Sequence, residues 1–224
     1  LSADRRFAVA QAGGGIVALS MGPPQADEVL REALACGADR AVLLSDPAFA
    51  GADTLATART LAAAVRKLGN YSLVLCGSRT LDSDTGQVGA QLAELLDIPM
   101  ASRVDRIACR ASGLRVDRRM DGMRERLEIP FPALITVDRP QKKTGAASLR
   151  ALEVAFGDTP VDRWSRKDLD LSPSQVGWEG SATWARDFAY WKKERAGEKQ
   201  EGGVGEAADR ILSALLERNI FDGS

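Results

Sequence analysis

The strongest constraint on this chain is an alternation, through its first 140 residues, of short apolar or β-branched runs with longer amphipathic stretches. Strands are expected at residues 16–20, 40–44 and 73–76, the last being Leu73-Val74-Leu75-Cys76, read as a buried strand. A helical segment near residues 5–11 leads through Gly13-Gly14-Gly15 into the first strand. A helix starts at Gly22-Pro23-Pro24, carries Val29, Ala33 and Leu34 at helical spacing, and ends at Cys36-Gly37. Residues 54–68 form a second helix with Leu55, Ala58, Leu61, Ala62 and Val65 on one face, and residues 86–96 a third. Strands alternating with helices imply right-handed crossovers and a doubly wound, mostly parallel sheet covered on both faces, an α/β fold.

The pattern changes after Pro99. Residues 104–109, 114–120 and 124–129 alternate apolar and polar, and Ser112-Gly113 and Asp121-Gly122 between them are hairpin turn signals. Together they read as an antiparallel β-meander added to the parallel sheet, closed by an apolar strand at 133–137. From about Gln141 the chain is weakly patterned and holds all four tryptophans, Trp164, Trp178, Trp184 and Trp191. Residues 192–205 read as a charged, glycine-rich linker. Residues 206–218 read as an amphipathic helix striped with Ile211, Leu212, Leu215 and Leu216. Such a tail is expected to wrap around a partner subunit, the alternative being its own domain.

Composition narrows the chemistry. The chain has no histidine, which removes the commonest general base, the Ser-His and Cys-His pairs and most zinc sites. Its three cysteines, Cys36, Cys76 and Cys109, share no metal-ligand spacing and read as reduced thiols of a cytoplasmic protein. No catalytic residue and no metal site is expected, so any redox chemistry would belong to a bound cofactor. A formal charge of −1 gives no global field towards nucleic acid or a membrane surface. Apolar runs are strand-sized, too short for a membrane span, and the first six residues are too polar for a secretory signal.

The most informative stretch is Cys76-Gly77-Ser78-Arg79-Thr80-Leu81-Asp82-Ser83-Asp84-Thr85-Gly86-Gln87-Val88-Gly89. A strand ends, a loop of small residues follows, and a helix begins. Ligands of open α/β sheets sit beyond the carboxyl ends of the strands, where a helix start offers free N–H groups and partial positive charge to a phosphate. Gly86 would let the backbone approach, the Thr85 hydroxyl would donate, and Asp82 and Asp84 would cap the helix or accept from a ribose hydroxyl. A capped helix with no ligand fits the same residues. Ser20-Met21-Gly22-Pro23-Pro24 has the same placement, and two such loops on neighbouring strands would form opposite walls of one crevice.

Three blocks resemble the beta subunit of electron-transferring flavoproteins. They are Ser20-Met21-Gly22-Pro23-Pro24-Gln25-Ala26, then Asp82-Ser83-Asp84-Thr85-Gly86-Gln87-Val88-Gly89, then Asp170-Leu171-Ser172-Pro173-Ser174-Gln175-Val176-Gly177 with Gly180-Ser181 behind it. The resemblance implies a flavodoxin-like sheet and a heterodimer with an alpha subunit that holds the redox-active FAD. It implies AMP in the beta subunit, or a second FAD in electron-bifurcating members. The phosphates would lie against Thr85, Gly86, Gln87, Val88 and Gly89, beside Cys76 and Gly77, with Ser20, Met21 and Gly22 next to the nucleotide. The third block is closer to the anaerobic, bifurcating branch, which favours FAD. Ser83 and Gly86 stand where bifurcating relatives usually have glycine and alanine, which keeps AMP open.

The resemblance further implies a partner dehydrogenase docked through Leu149, although Gln141-Lys142-Lys143-Thr144-Gly145 departs from the family's docking region. It divides the chain into a nucleotide-binding domain, 1–140, and a docking loop, tail and terminal helix contacting the alpha subunit, 141–224. It also implies a further stretch of roughly 30–40 residues ahead of Leu1, contributing a central first strand. The implied role is an electron carrier subunit rather than a stand-alone enzyme. The readings from other classes are a nucleotide scaffold and an ATP-hydrolysing regulatory module. The second wants a lysine in a P-loop arrangement, which residues 78–89 lack.

Overall fold

The structure is a computed structural model that describes residues 14–80, 83–138, 146–157, 159–184 and 202–218. The expected helix near residues 5–11 and Trp191 lie outside the described residues, as does most of the 192–205 linker. By internal contacts the chain divides into two units, Leu1–Trp184 and Ala185–Ser224.

The first unit is α/β. Strand β1 (Val17–Met21) leads through a short 3-10 turn into α1 (Asp27–Ala35), followed by β2 (Arg40–Leu44), α2 (Thr54–Leu68) and β3 (Leu73–Gly77). Next come α3 (Val88–Leu96), β4 (Met100–Arg110), β5 (Gly113–Met120), β6 (Met123–Pro130) and β7 (Ala133–Val137). Helix α4 (Leu149–Phe156), β8 (Asp162–Trp164) and the single turn α5 (Gly177–Gly180) complete it.

Among the described residues these strands make two open sheets where the alternation implied one. The first has the order β1-β2-β8 and is parallel. The second has the order β3-β7-β4-β5-β6, with β3, β7 and β4 parallel and β4, β5 and β6 antiparallel. The expected meander is therefore present, attached through β4 to a parallel pair. β1 takes its register from β2 and β3 from β7, so neither sets the other's ladder. β3 was also expected to be buried. It is not: Leu75 is 40% exposed, and Val17 on β1 is 41% exposed.

Helix α2 joins the two layers. Its Ala64 packs with Val42 and Leu44 of the first sheet, and its Ala58 and Ala62 pack with Leu134 of the second and Leu92 of α3. Alanine at 56, 58, 62 and 64, each fully buried, lets both sheets and α3 approach a helix that shows little surface to water. The Asp53 side chain caps its start by accepting from Ala56 N at 2.8 Å, and Gly69 closes it at a φ of 62°. The buried Thr60 hydroxyl is satisfied by Ala56 O at 2.9 Å.

Other local expectations meet their physical reasons. Asp121 and Gly122 take φ of 50° and 78°, the two positive angles of a tight hairpin turn. Gly113 does not turn but opens β5. A Cβ there would come within 2.2 Å of Ile129 O, so glycine permits the pairing with β6. Helix α1 turns Leu30 inward, not the expected Val29, which is exposed. Helix α4 and strand β8 fall in the stretch that showed little pattern. α4 packs on α1, and β8 extends the first sheet from β2.

In the second unit the described residues form α6 (Val204–Glu217), two residues earlier at its start than expected. Its Ile211, Leu212 and Leu216 are exposed. No helix among the described residues is long and apolar enough to cross a membrane.

Candidate functional site

The loop between β3 and α3 is built on the carboxyl end of the second sheet. Ser78 continues the β3–β7 ladder by donating its N–H to Val137 O at 3.0 Å, and its hydroxyl donates to Thr136 Oγ1 at 3.2 Å. The same Thr136 oxygen accepts the Arg103 N–H at 3.1 Å. Thr136 is a buried polar residue in an apolar strand, and this clamp is the reason for it. Beyond Ser78 the chain leaves the sheet. The Arg79 guanidinium meets Asp84 at 3.2 Å and Thr80 meets Ser83 at 3.3 Å.

Helix α3 starts at Val88 rather than at Gly86, because Asp84 and Gly86 are left-handed at φ of 49° and 66°. A Cβ on Gly86 would add a 3.3 Å approach to Ser78 O. Gly89 makes the closest contact: a Cβ there would stand 2.6 Å from the Thr136 methyl and 3.3 Å from Cys76 Sγ. The first turn of α3 is thus drawn down onto the ends of β3 and β7. Thr85, Gly86 and Gln87 are exposed above it, so the helix start faces solvent.

That start carries no side-chain cap among the described residues, a property shared with α1 and α6, whereas α2 is capped by Asp53 and α4 by Ser148. Gln87, in the cap position, instead accepts the Thr54 hydroxyl at 3.2 Å through Oε1. The uncapped N–H groups and the positive end of the helix dipole lie beside the exposed Thr85, Gly86 and Gln87. Asp82 lies outside the described residues.

The other expected wall is less open to a ligand. Gly22 donates its N–H to Leu44 O at 3.0 Å, Met21 packs into the core with Val42 and Leu44, and Ser20 is half-buried on β1. Gly22 leaves room for the turn that follows, since a Cβ on it would stand 3.0 Å from Ala26 Cβ. β1 and β3 are not paired neighbours, so the two loops are not joined through a shared ladder. Cys76 faces the packing under α3, and burial pushes its thiol up to about 11, which keeps it protonated at neutral pH.

A domain model of the electron transfer flavoprotein matches residues 1–156. The chain belongs to the electron transfer flavoprotein family. It is 38% identical over 209 residues to the electron transfer flavoprotein subunit beta of Thermoanaerobacterium thermosaccharolyticum, covering 93% of this chain and 80% of that protein. It is 39% identical over 211 residues to the caffeyl-CoA reductase-Etf complex subunit CarD of Acetobacterium woodii, with the same coverage. Protein FixA of Azorhizobium caulinodans is 39% identical over 218 residues, covering 93% of this chain and 77% of that protein.

Two further parts of this electron transfer flavoprotein chain were singled out by sequence. Leu149 opens α4 behind the Ser148 cap and is 81% exposed, with Val154 and Phe156 of the same helix also exposed. The third block folds against α2. Gly177 sits at a φ of 54° where a Cβ would come within 2.0 Å of Ala48 O, so no other residue fits without moving the backbone. Asp53 then holds the tail, accepting from Ala182 N at 2.8 Å and Thr183 N at 2.9 Å through Oδ2. Burial opposes ionisation of Asp53, but the donors from Ala56, Thr183 and Ala182 outweigh it and hold the carboxyl below its usual range. Thr54, Thr136 and Asp53 were not picked out from sequence. Thr136, polar within Ala133–Val137, and Asp53, an acidic residue just ahead of a helical pattern, each carried a visible signal.

Proposed function

We propose that this chain is the beta subunit of a two-subunit electron-transferring flavoprotein and holds the phosphates of FAD or AMP at the start of α3. The observation that carries the site is the uncapped, solvent-facing helix start, set by Gly86 and Gly89 and flanked by the Thr85 hydroxyl. These residues fit a phosphate group: N–H donors and a partial positive charge converge where no side chain of the described residues occupies the cap. A flavin bound there would supply electron transfer, and the protein would supply placement. Thr85 and the α3 amides would fix the phosphates, Gln87 would tie the loop to α2 through Thr54, and Arg79 would add a cation if it left Asp84.

In the same reading the two sheets belong to one flavodoxin-like, doubly wound sheet, with α2 spanning them on one side. The tail held by Asp53, and the apolar stripe of α6, would contact an alpha subunit. Leu149 with Val154 and Phe156 would meet the dehydrogenase that donates electrons. The relationship to an Etf subunit named for a caffeyl-CoA reductase complex supports a role in passing electrons between an enzyme and a downstream acceptor, and keeps bifurcation within the proposal.

The test is to coexpress the chain with an electron transfer flavoprotein alpha subunit, purify the complex, denature it and count released nucleotide. Two FAD per heterodimer support a second flavin on this chain. One FAD with one AMP supports a structural nucleotide. One FAD and no AMP contradicts a nucleotide at α3.

A further inference from the structure

The solvent face of the meander concentrates arginine. The β4–β5–β6 register places Arg106 opposite Asp117 and Asp117 opposite Arg126, with Arg115 opposite Glu128 and Arg119 opposite Arg124. Residues two apart on a strand share a face, so Arg115 and Arg119 lie with Asp117, while Arg124 and Arg126 lie with Glu128. Arg106 and Arg110 fall on the same side of β4. The other side packs Leu114, Val116 and Ile129 into the core and carries the ion pair of Arg118 with Glu125 at 2.6 Å. One face of three strands therefore carries six arginines, five exposed and Arg115 half-buried.

Three carboxylates answer them. Arg126 meets Asp117 at 2.8 Å, Arg115 meets Glu128 at 3.1 Å, and Arg119 reaches Asp105, at the β4 bulge, at 3.2 Å. Arg106 and Arg124 add only longer-range attraction to Asp117, and Arg110 leans on its neighbour's carbonyl, Cys109 O, at 3.4 Å. The face thus holds an excess of three positive charges on a chain whose net charge is −1. Like charges directly opposite across strands, as at Arg119 and Arg124, work against sheet stability. Folding alone gives no reason to gather them here.

We infer that this arginine face of the meander is a docking surface for an acidic protein. Every cation on it is arginine, whose planar fork binds carboxylates in pairs. The interleaved Asp117, Glu128 and Asp105 make a mosaic rather than a uniform field. A protein surface, mainly acidic with an occasional lysine, matches that mosaic, whereas a continuous phosphate backbone would run against each carboxylate in turn. The face also has no aromatic ring on which a base would stack. Such complementarity raises the rate of encounter and fixes orientation more than it adds affinity.

The experiment titrates the full chain, alone and with any subunit that copurifies, with fluorescent poly-L-glutamate, a single-stranded oligonucleotide, and vesicles containing phosphatidylglycerol. The variant R106E/R124E alters two exposed positions outside the ion pairs of Arg115, Arg119 and Arg126, and R218E at the end of α6 is the control. Near-UV circular dichroism reports whether each is folded. The expected result is poly-glutamate binding that weakens with salt and falls roughly tenfold or more in R106E/R124E but not in R218E. No poly-glutamate binding, equal binding by a folded R106E/R124E, or tighter binding of the oligonucleotide or the vesicles would each overturn the inference. Should R106E/R124E misfold, R124Q is titrated in its place, and equal binding by that variant has the same meaning.

Discussion

Gly89 rests against Thr136 so closely that a side chain on it would meet the threonine methyl at 2.6 Å. This contact sets the height of the first turn of α3 above the ends of β3 and β7. It therefore also sets where the uncapped amides point. Because Thr136 is itself held by Ser78 and Arg103, it has little freedom to give way.

Gly89→Ala is accordingly expected to destabilise the chain by about 1–3 kcal/mol, the usual cost of overfilling a packed site. Urea unfolding followed by circular dichroism measures it. Ala90→Gly on the exposed side of the same turn should cost about 1 kcal/mol from backbone entropy alone and leave the loop in place. Equal stability of Gly89→Ala and the unaltered chain would show that α3 is not seated as described.

Asp53 serves two segments at once, and acid should uncouple them. Its carboxyl is held below the usual range, so its contribution is present above the unfolded value of about 3.9 and is lost as pH falls through the folded value. Asp53→Ala is expected to cost roughly 0.5–2 kcal/mol at neutral pH for the cap alone. The stability gap between the unaltered chain and Asp53→Asn should be full at pH 6 and close below about pH 4. A gap that stays constant across that range would mean the carboxylate charge is not what holds Ala182 and Thr183.

Cys76 should be a slow thiol. With the folded value near 11 against an ordinary value of 9.0, its thiolate fraction at pH 8 is lower by about a hundredfold. Iodoacetamide labelling followed by peptide mass analysis should show Cys76 modified far more slowly in the folded chain than in urea. Because the folded value is raised, the stability this burial gives is present below pH 9 and is lost as pH rises through about 11. Labelling of Cys76 at the denatured rate would place it on an open surface.

Much of the fold was legible because its signals are local. Residues 40–44, 54–68 and 133–137 have the expected bounds, since apolar runs, a capped alanine-rich helix and turn residues each act within a few positions. Val29 and Leu30 are adjacent apolar residues, and sequence phase alone could not decide which of the two faces the core. Strand β8 is three residues, Asp162-Arg163-Trp164, and exists because β2 offers a free ladder edge, not because of its own pattern. The division into two sheets was likewise decided by pairing partners distant in sequence. At the site, the loop and its glycines were visible. The bond from Thr54 to Gln87 and the hold of Asp53 on Thr183 were not, because each joins residues far apart in sequence.

The central claim is that a nucleotide phosphate sits on the start of α3, and Gly86 tests it most directly. Its φ of 66° and its 3.3 Å clearance to Ser78 O leave no comfortable place for a branched side chain. The measurement is bound FAD and AMP, released and quantified from the complex with an alpha subunit, for the unaltered chain and for Gly86→Val side by side. The account predicts that Gly86→Val loses one nucleotide per complex while still pairing with the alpha subunit. Full nucleotide content in Gly86→Val would contradict a phosphate site at this loop.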